Sequence, residues 1–150
     1  MIGRGLGFEG MPMGPNIVTL YAIVIMLFTM LYFLPASVAF LFVKLDIPVV
    51  ARLLRGLFSV GFLLIAGAGG IAVIAFAATG APAFAIGASL IVVFTIAARR
   101  WFLRHMDAHW SAVAAGSHPA TRRLRLLHCA GMATTFVQIV AVVSSVPLIA

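Results

Sequence analysis

Charge is what this sequence has least of, and negative charge is scarcest. Only 9% of its 150 residues are charged, and the acids are Glu9, Asp46 and Asp107 alone. Soluble domains carry roughly 25% charged and about 45–50% apolar residues. The 64% hydrophobic content here exceeds what an interior of this size can hide. Lipid has to provide the remaining solvent, because acyl chains accept side chains that water rejects. One compact bundle is expected at this length, with no room for a separate soluble domain. Cysteine is nearly missing too: Cys129 stands alone, which excludes an intramolecular disulfide framework and a thiolate cluster for zinc or iron–sulfur chemistry.

What remains is long uncharged runs. Residues 1–16, MIGRGLGFEGMPMGPN, are rich in Gly, Met and Pro, lack helical periodicity and read as a flexible arm. The first run, 17–43, is longer at about 1.5 Å per residue than the roughly 30 Å hydrocarbon core requires. Pro35 within it removes a backbone hydrogen bond and crowds the carbonyl of Leu31, so a kink is expected there. That run is too long, and its leading end too poor in positive charge, for a signal peptide cleaved near Ser37-Val38-Ala39. Asp46 is placed to cap a second helix with Pro48 in its first turn, and the helix is expected to lie partly in the interface before spanning from about residue 53.

No charge interrupts 56–98, a stretch too long for one span, and Thr79-Gly80-Ala81-Pro82 is its natural break. The second and third spans then run over about 53–78 and 82–102. The third is short unless arginine stems snorkel and Trp101 and Phe102 complete its apolar length. RRWFLRHMDAHW continues it as a helix beyond the membrane. Thr121 is placed to cap a fourth span of about 122–146, which Pro147 ends. The fold expected is all-α, an integral membrane antiparallel four-helix bundle.

The net charge of +7 comes from ten Lys/Arg, nine of them in the first and third connections and one, Arg4, in the arm. The positive-inside rule places those two connections in the cytoplasm and both termini outside. A multi-pass protein of the cell membrane, of bacterial inner-membrane type, is the expected setting. Nucleic acid is not needed to explain basic residues at span ends. Arg52, Arg55, Arg99, Arg100, Trp101, Arg104, Arg122 and Arg123 are candidate contacts for anionic lipid or a partner.

Gly61, Gly67, Gly70 and Gly87 are candidate helix-packing positions, since small residues let backbones approach closely in lipid. Gln138, Thr134, Thr135, Ser144 and Ser145 in the last span, with Thr29 in the first, are expected to hydrogen-bond between helices at about 0.6 kcal/mol each. His105 and His109 are four apart on one helical face, a spacing suited to two metal ligands; Asp107 points elsewhere and completes no site, so no metal is assigned. His118 is expected in solvent. His128 lies about one turn inside the last span, where an ionisable side chain is paired or functional, and it is the one candidate cofactor ligand, for a haem or beside a quinone. No acid or base sits at mid-depth in any span, which disfavours ion-coupled transport. No nucleophile, base and orienting group stand together, so catalysis is not expected.

Two stretches, LPASVAFLFVKLDIPVVARLLRGLF and RLRLLHCAGMATTFVQIVAVV, together about a third of the chain, carry a resemblance. They are similar to the exit of the first span and to the last span of a bacterial four-helix membrane protein family of unknown function, itself distantly similar to a eukaryotic cisplatin-resistance-associated transmembrane protein. Leu127-His128 and Gln138 match the family's pattern; Thr135 stands where an asparagine is looked for. The resemblance implies a fold and topology, not a reaction. The function expected is a non-catalytic membrane subunit that packs as an accessory or scaffold component against other membrane proteins or a second copy. The alternatives are a haem- or quinone-binding electron-transfer subunit using His128 and a small oligomeric transporter or channel.

Overall fold

The computed structural model describes residues 17–43, 45, 47–115 and 118–148, so the expected arm at 1–16 and Asp46 lie outside the described residues. Four long helices make up the fold: α1 (Ile17–Val38), α2 (Pro48–Ala78), α3 (Pro82–Ala114) and α4 (His118–Ser145), with short 3₁₀ turns at Ala39–Leu41 and Val146–Leu148. Each is long and apolar enough to cross a membrane, and there is no strand among the described residues. The chain is an all-α, four-helix, multi-pass membrane protein.

The helix ends follow local chemistry. α2 starts with Pro48 at its first position and Ile47 as N-cap, without a side-chain cap, so the cap falls one residue after Asp46. α4 begins at His118, three residues ahead of the cap expected at Thr121; Pro119 in its first turn lacks an N–H that would have no helical partner there. Between α2 and α3 the break at 79–82 is as expected. Gly80 has φ 72°, a left-handed conformation that a Cβ disfavours. The Ala81 N–H reaches back to the Phe76 carbonyl at 2.9 Å and the Gly80 N–H to Ala77 at 3.3 Å, which is the Schellman arrangement for a helix C-terminus. The Thr79 hydroxyl donates to the Ala75 carbonyl at 2.9 Å and receives the Thr19 hydroxyl of α1 at 3.3 Å.

α3 is one helix of 33 residues, about 50 Å long against a hydrocarbon core of about 30 Å. Its excess, beginning near Arg99, extends the arginine-bearing end as the sequence leads one to expect. In α1, Pro35 is inside the helix and the α-helical pattern gives way to 3₁₀ a few residues later.

The interior is organised as seams. Buried positions recur at 19, 23, 26, 30, 33 and 37 in α1, at 51, 54, 58, 61, 65, 68, 72 and 75 in α2, and at 124, 128, 131, 135, 138 and 142 in α4. Alternating steps of three and four give a mean of 3.5, the period of left-handed packing at small crossing angles. The seams differ in chemistry. α2 contributes a cluster of rings at one end and mainly alanine, with Phe76, at the other, while α4 contributes Leu124, His128, Gly131, Thr135, Gln138 and Val142. Outward faces carry the large apolar side chains, among them Tyr21, Phe28, Ile74, Leu90 and Val137. Polarity therefore marks the inside of α4, the reverse of a helix in water.

Candidate functional site

At the arginine-bearing end the seams meet in an aromatic cluster. Phe58 of α2 is fully buried, with ring centroids 5.5 Å from Phe33, 5.6 Å from Phe62 and 5.9 Å from Phe102. The His128 ring of α4 meets Phe58 edge-on at 5.6 Å and 80°. Gly131 of α4 lies under the same phenyl ring, and a Cβ there would overlap it. Gly61 of α2 accepts the Phe33 ring in the same way. The Phe58 ring of α2 thus reaches across to α4 at a position where only a glycine leaves room for it.

His128 and Ser37 of α1 are both fully buried. The Ser37 backbone lies near the imidazole, but neither ring nitrogen, nor the Ser37 hydroxyl, completes a hydrogen bond by geometry. Nearly three turns further along α4, the Gln138 amide donates to the Thr95 hydroxyl at 2.8 Å, and Thr95 donates onward to the Ile91 carbonyl at 2.7 Å. Gln138 is thus the polar bridge from α4 to α3, with its own Oε1 unpartnered.

The other hydroxyls in these spans behave differently from expectation. Thr29 donates to Ile25, Thr134 to Ala130, Thr135 to Gly131 and Ser145 to Val142, all carbonyls of their own helices. A hydroxyl reaches its own preceding turn without needing a neighbouring helix. The interhelical side-chain bonds instead include Thr19 to Thr79 and Arg99 to Ser59. Arg99 of α3 donates through Nε to the Ser59 carbonyl at 3.1 Å and through Nη2 to the Ser59 hydroxyl at 2.9 Å.

Arg55 of α2 and Asp107 of α3 form a two-pronged ion pair at 2.6 and 2.9 Å. Two of the candidate lipid-contacting arginines, Arg55 and Arg99, therefore clamp α2 to α3. Arg52, Arg100, Arg104, Arg122 and Arg123 are exposed, as is Trp101. Asp107 faces α2, away from His105, as the spacing suggested.

The glycines divide similarly. Gly61 packs inside the bundle, whereas a Cβ on Gly67, Gly70 or Gly87 would meet nothing within 4 Å. Gly69 approaches Val92 and Gly131 approaches Phe58. Sequence reasoning missed Gly131, although its place in the 124–128–131–135–138 spacing was a usable signal.

His128 stands apart from the other histidines. The ring partner of His128 is Phe58, whereas His105 of α3 stacks on Trp101 at 4.1 Å with its Nδ1 2.8 Å from the Trp101 carbonyl. Among the described residues, no three His, Cys, Asp or Glu side chains are grouped to hold a metal ion. At the opposite end, a cavity of about 250 Å³ opens between α3 and α4, walled by Ala83, Gly87, Ala141 and Val142 and reaching Met26 and Phe76 in the core.

Fold and site together define a four-helix membrane protein with a polar seam inside and a basic rim at one end. Compared with known protein families, curated proteins and solved structures, the chain matches none.

Proposed function

We propose that this protein is a non-catalytic membrane subunit that works by packing against other membrane proteins, with both termini on the non-cytoplasmic side of a bacterial inner membrane. The observation that carries this reading is the outward strip of α2. Gly67 and Gly70 have nothing opposite them among the described residues, beside exposed Leu63, Ile71 and Ile74. A helix-interior glycine is less favourable than alanine by about 0.8–1.0 kcal/mol, and the inward glycines compensate by admitting a ring or a valine. The outward ones have no such compensation unless another helix lies against them, which is the use small residues have in lipid. The basic end supports the orientation through the positive-inside rule.

A photo-crosslinking residue at position 67, introduced in cells, tests the reading. Capture of a different membrane protein, lost when Gly70→Leu blocks the strip, supports it. Capture of a second copy turns the subunit into a self-assembling one. Capture of lipid alone overturns it.

A further inference from the structure

The end of α3 and the start of α4 border an open groove that the subunit reading does not use. Three adjoining hollows, of about 320, 230 and 490 Å³, share Arg123 as a wall. The first is lined by Trp101, His105 and His109 of α3 and by Leu127 and Ala130 of α4. The second adds Pro119, and the third, on the outer lip, is formed by α4 alone with His118 and Arg122. Because α3 leaves the apolar layer as α4 enters it, Trp101 and Ala130 occupy the membrane-ward level and His109, Pro119 and Arg123 the level above. The groove is apolar below and cationic above.

Its electrostatics have one sign. No Asp or Glu follows Asp107 in the sequence, and Asp107 is bound to Arg55 on the α2 side. The positive end of the α4 macrodipole and the negative end of the α3 macrodipole meet at this level and offset each other, which leaves Arg122 and Arg123 to set the field. His105 is held in place by its stack on Trp101 and its contact with the Trp101 carbonyl. With Nδ1–H donating to that carbonyl, the neutral ring presents Nε2 as an acceptor, so contacts to an anion fall to the arginines.

From this juxtaposition we infer that the α3–α4 groove is a binding site for one anionic phospholipid, its phosphate against Arg123 and Arg122 and an acyl chain over Leu126, Leu127 and Ala130. Charge complementarity selects the occupant. Basic pockets between membrane helices hold phosphate headgroups, and the apolar floor distinguishes a lipid from a free anion. The inference rests on the membrane reading and leaves open which protein, if any, covers α2.

The test is native mass spectrometry of the full chain in detergent, with cardiolipin, phosphatidylglycerol or phosphatidylcholine added at matched concentrations. The anionic lipids are expected to be retained over phosphatidylcholine, and Arg123→Gln to lower that preference about fivefold, the size expected for one interfacial cation. Arg123→Lys should keep most of it. Arg125→Gln removes the same charge from an exposed position of α4 that lines none of the hollows and should leave the preference intact. Equal losses for Arg123→Gln and Arg125→Gln would mean diffuse surface attraction and overturn the site. So would equal retention of phosphatidylcholine, or displacement of the lipid by inorganic phosphate alone. Crosslinking at position 67 reads the α2 face separately, so failure of one reading leaves the other standing.

Discussion

The two ends of the bundle solve the same packing problem with opposite materials. At the arginine-bearing end, three phenyl rings and an imidazole converge on Phe58, with Gly61 and Gly131 hollowed to receive rings. Arg99 and Ser59, and then Arg55 and Asp107, fasten α2 to α3 nearby. At the other end the seam of α2 runs through Ala68, Ala72 and Ala75 with Phe76 as its one buried ring, against Phe84 of α3, the Thr19–Thr79 contact is the one side-chain hydrogen bond described between helices, and α3 stands off from α4 around a cavity. Large side chains need partners of complementary shape and make a rigid end. Small ones permit close backbones where helices touch and leave gaps where they do not.

This contrast can be broken by substitution, with stability read from reversible unfolding of the detergent-solubilised protein. Phe58→Ala should have the largest effect, a loss of about 3–5 kcal/mol, because it removes the ring that the other four rings contact. Gly131→Ala should follow, with a loss of about 1–3 kcal/mol: the added methyl meets a phenyl ring that Phe33, Phe62 and Phe102 keep from moving aside. The same change at outward Gly67 should raise the stability of the isolated chain by up to about 1 kcal/mol. Similar losses at 67 and 131 would remove the distinction between inward and outward glycines.

Gln138→Leu should lose about 0.6 kcal/mol, a small effect because Thr95 keeps its bond to Ile91 and the orphaned Oε1 disappears along with the amide. Ala141→Leu, filling the cavity at the loose end, should change stability by less than about 0.5 kcal/mol in either direction. A loss comparable to that from Gly131→Ala would show that the two ends are equally tight.

Much of the fold was legible because charge marks where a helix leaves lipid. The uncharged runs 17–43 and 56–98, and the Thr79–Pro82 break, mapped onto helices with shifts of a few residues. The seams were harder to read. In water, hydrophobic periodicity points inward, but here both faces of α4 are apolar enough for lipid, and the inner face is distinguished by His128, Gly131, Thr135 and Gln138. Hydroxyl partners were misread because Thr134 and Thr135 have a carbonyl of their own helix within reach, which composition does not reveal. Arg55 and Asp107, 52 residues apart, meet only once the facing of α2 and α3 is known. The candidate lipid groove was half legible: its cations were evident, but its apolar floor depends on how α4 leans across α3.

The turn at Gly80 bears on how such a protein is made. α2 and α3 share the most extensive contact in the molecule, and the Thr79–Ala81 link between them carries no charge. No ionised side chain in that link adds to the cost of passing the hydrocarbon layer, and its Gly80 and Ala81 N–H groups are already bonded to carbonyls of α2. The two helices are free to enter it as a closed pair during synthesis, leaving α1 and α4 to settle against a hairpin already in place.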